Sequence, residues 1–178
     1  RAQRRLVVVL AHARRRQCGP MLAQVTERIV YGMATAWGYE GHEHDTYMRS
    51  LAGSVCVSSD TGHAVHPNYP EHHDPRITPL LGRGPLLKLN AQQRYASDAV
   101  GTAVWAKACE DAGVAYQEFV SNNNMPCGST IGPISATRLG IPTVDVGVPM
   151  LSMHSARELV GERDQLWLGQ ALEAYLVG

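Results

Sequence analysis

Ser54-Val55-Cys56-Val57-Ser58-Ser59 runs directly into Asp60-Thr61-Gly62-His63-Ala64-Val65-His66-Pro67-Asn68-Tyr69, and this junction decides the reading of the fold. Val55–Ser59 reads as a buried strand. One carboxylate and two imidazoles follow within seven positions, and then a Pro-Asn turn. A strand that ends in an acid and then His presents metal ligands at the rim of an α/β sheet. The same residues also suit an ordinary exit from a strand into a solvated loop, and the residues by themselves leave both readings open.

Working outward, strands and helices alternate. On the amino-terminal side, Leu6–Leu10 is a β-branched apolar run that predicts a buried strand. Gly19-Pro20 predicts a helix start, with Met21, Leu22, Val25, Ile29 and Met33 at helical spacing through about Trp37. Asp45–Leu51 reads as a short helix capped by Asp45. On the carboxyl side, Pro67–Pro85 holds five of the ten prolines and predicts a long loop, which suggests function or a partner contact. Leu86–Leu89 reads as a strand. Ser97 or Asp98 caps a helix to about Ala112 that Gly113 ends. Ala115–Val120 is a strand, Ser121–Gly132 a polar loop, Pro133–Leu139 a short helix ended by Gly140, and Pro142–Val146 a strand. Helices over roughly His154–Val160 and Asp164–Leu176 close the chain. No repeat or linker interrupts this pattern, so residues 1–178 read as one α/β unit.

Composition narrows the class. Of 178 residues, 44% are hydrophobic and 18% charged, enough for one ordinary core. The formal net charge is zero, so no broad field steers the chain to nucleic acid or to an anionic membrane. Cys18, Cys56, Cys109 and Cys127 are scattered and form no CxxC, which predicts free thiols in a reducing, cytoplasmic setting. No apolar run approaches the ~18 residues of a spanning helix. The run after Arg1 is too short for a signal peptide and lacks a small-residue cleavage site.

A second cluster, Met150-Leu151-Ser152-Met153-His154-Ser155-Ala156-Arg157-Glu158, follows the apolar strand Thr143–Gly147. It sets another His just past a strand's carboxyl end, where open α/β sheets build their sites. Between the clusters lie Gly84-Pro85-Leu86-Leu87-Lys88-Leu89-Asn90, Gln93-Arg94-Tyr95-Ala96 and Asn124-Met125-Pro126-Cys127-Gly128-Ser129-Thr130-Ile131-Gly132-Pro133. Together, and in this order, these stretches resemble the aspartyl aminopeptidase family of dinuclear zinc exopeptidases over about residues 20–177.

The resemblance implies an α/β fold: a three-layer zinc-exopeptidase-like sheet flanked by helices, the C-terminal portion of an incomplete catalytic domain. It implies release of N-terminal acidic residues, Asp or Glu, from peptides, with two zinc ions and a closed homo-oligomer in which Pro67–Pro85 is a candidate contact. It assigns Asp60 to one zinc and His154 to the other. His63 would face substrate near a subunit boundary, with an imidazole able to meet a carbonyl or oxyanion. His66 would support the site from behind, and Lys88 would pair with an acidic side chain. Gly128-Ser129-Thr130 is a loop of small residues able to approach substrate and donate hydrogen bonds, or a plain turn. Arg157-Glu158 either ties its loop or faces solvent. His42-His44 and His72-His73 match no motif and are not read as metal pairs.

One segment departs from the family. Its Asp-His-Glu-Glu-type stretch supplies the general base and a zinc ligand, after a strand equivalent to Leu6–Leu10. Here the place reads Leu10-Ala11-His12-Ala13-Arg14-Arg15-Arg16-Gln17-Cys18. His12 can align, but Ala13 and Arg14 stand where two carboxylates belong, so no catalytic residue is identified. The family's bridging Asp and a further His lie upstream and have no counterpart. Two other readings therefore stand beside the enzyme: a catalytically inactive homologue that retains assembly surfaces, and a binding module for a metal or an anion.

Overall fold

A computed structural model describes residues 15–39 and 41–178, with side chains from Gln24 onward. The expected strand Leu6–Leu10 and the Ala11–Arg14 stretch lie outside the described residues, as does the side chain of Cys18. The elements are α1 (Arg15–Ala36), α2 (Glu43–Ala52), β1 (Cys56–His63), β2 (Leu86–Leu89), α3 (Ala99–Ala112), β3 (Gln117–Val120), α4 (Gly132–Leu139), β4 (Thr143–Leu151), β5 (Leu159–Val160) and α5 (Glu162–Val177). The sheet order is β1-β4-β2-β3, with β5 beside the end of β4. β1 and β4 are parallel in register from Cys56↔Thr143 to His63↔Met150, and β2 and β3 are parallel to each other. β4 runs antiparallel to β2 and to β5, so the sheet is mixed.

Alternation along the strands assigns the two faces. Val57, Leu87, Val144 and Val146 point to one side and pack with Trp105, Ala108 and Cys109 of α3 and Ala171 and Tyr175 of α5. Each fully buried large side chain contributes about 1.5–3 kcal/mol. The Tyr175 hydroxyl ends on the Val55 carbonyl at 2.8 Å, which satisfies its polar tip. The other face is of two kinds. Cys56 packs with Leu51, Leu139 and Ile141 beneath α2 and α4, whereas Leu86 and Phe119 pack with Tyr95. Between those two clusters, on the same face, strand alternation places Ser58, Asp60, Asp145, Gly147 and Lys88. This is a sheet with helices on both faces, as expected.

Several element boundaries differ from the sequence reading. α1 starts at Arg15, so Pro20 lies inside the helix rather than in its first turn. Asp45 does not cap α2; it lies in the first turn and pairs with Arg49 at 2.8 Å, an arrangement the helix dipole also favours. β1 runs on through Asp60 to His63, because β4 offers backbone partners along that whole length. The stretch His154–Val160 is not helical. A turn and β5 occupy it, with Ser152 at φ 57° and His154 at φ 67°, conformations no helix continues through.

Other expectations match. Asp98 caps α3 by accepting from the Gly101 N–H at 2.7 Å, and Gly113 and Gly140 end α3 and α4 at φ 65°. Residues 67–85 are irregular apart from a 3-10 turn at Pro70–His72. That stretch is nevertheless stitched down. The Gln117 amide group meets the N–H and C=O of Leu80 and the C=O of Gly84, each at 2.9 Å. Buried Asp164, at the start of α5, accepts from Gly82 at 2.6 Å and Gly84 at 2.8 Å.

Candidate functional site

Lys88 is the most deeply buried cation among the described residues, 1% exposed. Its strand, β2, neighbours β4, and β4 neighbours β1, so its side chain must cross β4 to reach Asp60. It can do so because Gly147 of β4 and Gly62 of β1 have no side chains; a Cβ on Gly147 would lie 3.2 Å from Lys88 Cε, and one on Gly62 3.3 Å. Nζ then donates to Asp60 Oδ1 and, at 2.8 Å, to the Thr61 carbonyl. Burial pushes the Lys88 pKa down to about 8, and the Asp145 carboxylate opposes that shift.

Beyond Asp60, β1 delivers His63 to a cleft of about 450 Å³. His63, His66, His72 and His73 line one part, and Tyr95, Phe119, Met125, Gly128 and Met150 another. His73 is 6% exposed; its Nε2 donates to the His63 carbonyl at 3.2 Å, and its Nδ1 has no partner among the described residues. Its ring stands edge-on to Phe119 at 5.8 Å, and Phe119 to Tyr95 at 5.9 Å. Burial lowers the His73 pKa, with the His63 carbonyl opposing and His72 adding to the shift. His63 is lowered too, first by the protein packed around it, then by the charges of His73, His154 and His72. His66 Nδ1 accepts from the Asn68 N–H at 3.2 Å, and its ring lies 5.3 Å from that of Tyr69.

The expected site residues therefore divide. His63, His66 and Gly128 share the cleft wall. Asp60 and Lys88 form a pair at the sheet, and Lys88 is not on the cleft wall. Ser129 and Thr130 are not on the wall either: Thr130 is buried, and its hydroxyl donates to Asp145 Oδ1 at 2.7 Å. Exposed His154 sits at the rim, between the lining residues Met153 and Ser155. Its left-handed backbone is held by a 2.6 Å bond from its N–H to Glu158 Oε1, so Glu158 ties the loop.

A zinc ion takes about four ligands from His, Cys and carboxylate side chains. The described residues contain no group of three or more such side chains placed to share a metal ion. Asp60 also already carries an ammonium as counter-charge. The described residues by themselves therefore do not fit a zinc pair.

Two residues matter that sequence reasoning missed. Asp145 is fully buried within β4, where its carboxylate accepts from Thr130 and, at 2.6 Å, from the Ala96 N–H. His73 anchors residues 67–85 to the end of β1, through its bond to the His63 carbonyl, and to the residue after β3, through its backbone bridge to Ser121. An acid inside the apolar run Thr143–Val148 was a signal in plain sight, because a buried charge requires partners.

Comparison with known proteins completes the assignment. The profile of the family described as "Aminopeptidase I zinc metalloprotease (M18)" matches residues 18–176. A probable M18 family aminopeptidase 2 of Streptomyces coelicolor is 55% identical over 158 residues, which is 89% of this chain and 35% of that protein. Its namesake in Mycobacterium tuberculosis is 44% identical over 156 residues, 88% of this chain and 34% of that one. Among solved structures, Ape4 in complex with Nbr1 superposes with a TM-score of 0.78 at 38% identity, covering 87% of this chain and 28% of the other. An M18 aminopeptidase of Thermotoga maritima gives 0.71 at 26% identity, covering 84% and 34%. The chain belongs to the M18 aminopeptidase family. It spans about a third of the length of these curated relatives.

Proposed function

We propose that this chain carries part of the catalytic domain of an aminopeptidase that removes acidic N-terminal residues from peptides. The family match across residues 18–176 carries this reading. Asp60 and His154 are its metal-ligand positions. His63, His66 and Gly128 are its substrate-side wall, with Ser129 and Thr130 in the loop behind. The chemistry this chain's own residues supply is binding. Tyr95, Phe119 and Met150 give a peptide an apolar seat, and His63 gives it a polar contact near the open end. Lys88 would meet an acidic side chain only after Asp60 takes another counter-charge. Assembly with further copies is part of the proposal; one solved relative is described as a dodecamer.

A second reading, a homologue that binds peptide without cleaving it, is favoured by the lack of three convergent metal ligands among the described residues. The test is hydrolysis of an N-terminal Asp or Glu amide by the purified chain, with and without zinc, beside His154→Ala. Zinc-dependent turnover lost in the variant supports the enzyme. Binding of the amide without turnover, in folded protein, supports the second reading. Zinc-dependent stabilisation with neither would turn the assignment to a metal-binding module.

A further inference from the structure

We infer that Asp145 is a positioning residue that holds two stretches of the cleft wall, one at Tyr95 and one at Gly128, in register. The inference rests on the reading of the cleft as the peptide seat. Asp145 is 0% exposed, near the start of β4, and its two carboxylate oxygens serve different segments. Oδ2 accepts from the Ala96 N–H at 2.6 Å, the residue after the wall residue Tyr95. Oδ1 accepts from the Thr130 hydroxyl at 2.7 Å, two residues after the wall residue Gly128. The backbone N–H of Asp145 donates to Ser97 Oγ at 2.9 Å, which adds a second tie to the stretch that carries Tyr95.

Gly132, at the start of α4, packs so closely that any Cβ there would overlap the carboxylate. The carboxylate therefore has little room to turn away from its two partners. The two stretches also meet directly, through the Cys127 thiol and the Tyr95 hydroxyl at 3.6 Å. That contact is a weak hydrogen bond, and it forms only if both segments are already in place. A buried carboxylate with two good donors is strong and directional, whereas the surrounding loop, 121–131, has no regular structure of its own. Asp145 acts on a bound peptide only through these two stretches.

Cys127 supplies a probe. It is half-buried on the cleft wall, whereas Cys56 and Cys109 are buried and burial pushes both thiols up to about 12. Thiol-reagent labelling of the whole chain, mapped by peptide mass spectrometry, separates the four cysteines. Thr130→Val removes one tether and keeps the shape, so Cys127 should label at least about fivefold faster, with Cys56 and Cys109 still protected. Thr130→Ser, which keeps the hydroxyl, should restore the wild-type rate. Asp145→Asn should raise Cys127 labelling and also speed amide exchange at Ala96. Wild-type labelling in folded Thr130→Val would overturn the proposal. So would equal exposure of all three described cysteines, which would mean general loosening. If the wall responds as expected while even wild-type protein neither binds nor cleaves an acidic peptide, the functional reading fails and the positioning role stands.

Discussion

The Lys88 ammonium on β2 bonds the Asp60 carboxylate on β1, two strands away, by passing over Gly147. Neither charge would be stable in this setting without the other. Lys88→Met should cost about 3 kcal/mol, because it leaves a largely buried carboxylate unpaired. Asp60→Asn with Lys88→Met should recover much of that loss, since neither member of the pair then stays behind as a lone charge. Thermal melts of the two single variants and the double variant form the cycle. Additive losses would mean that the two groups do not interact.

The crossing itself makes a prediction at Gly147. A methyl there would sit 2.5 Å from the Asp60 carbonyl and against the Lys88 stem. Gly147→Ala should therefore lower stability by about 1–3 kcal/mol through overpacking. Gly128→Ala, where a Cβ meets nothing within 4 Å, is the control that should stay within ~0.5 kcal/mol. Urea melts of both variants decide it.

His73 should make the fold sensitive to acid. Its folded pKa is lowered, so near and below pH 6.5 the unfolded chain binds more protons than the folded one. Its contribution is complete above 6.5 and is lost as pH falls from there through the folded pKa. His73→Gln keeps a donor for the His63 carbonyl but cannot titrate. The variant should show a shallower loss of stability between pH 7 and pH 5. His63, lowered in the same direction, keeps the slope from vanishing. Equal slopes in the two proteins would rule out His73 as a source.

Asp164 fastens the far end of residues 67–85 to α5. Asp164→Ala strips the acceptor from two backbone N–H groups, and each unsatisfied donor costs about 1–3 kcal/mol. Hydrogen exchange should rise first at Gly82 and Gly84, ahead of the α3–α5 core. Protection retained at both glycines would show that other acceptors suffice.

The order of strands and helices was legible because apolar runs and glycine or proline stops fall at regular intervals. Asp98, Gly113 and Gly140 did locally what such residues do, so sequence alone placed the ends of α3 and α4. Strand length was less legible. Asp60, Thr61, Gly62 and His63 have weak strand preference, and it is the parallel partner β4 that holds them extended. The turn around His154 was hidden for a similar reason: its helical-looking spacing gives way to left-handed backbone fixed by Glu158. The sequence reading set His63 and Gly128 beside substrate and His66 behind them; the fold puts all three on the cleft lining. Lys88 was visible as a cation, but its partner was not, since reaching Asp60 depends on two distant glycines aligned by the sheet. Thr130 looked like a donor for substrate until the fold brought Asp145 beneath it.

The parallel register of β1 with β4 also bears on how the chain emerges during synthesis. Cys56 pairs with Thr143, a separation of 143 − 56 = 87 residues, and among the described residues no other strand pairs with β1. Every residue of the Pro-rich stretch, β2, α3, β3 and α4 must be made before β1 finds its neighbour. Until then the edge of β1 that β4 covers is unpaired, and contacts that close so long a loop form slowly. That edge of β1 thus waits on the nascent chain, open to chaperones or to pairing with a second nascent copy.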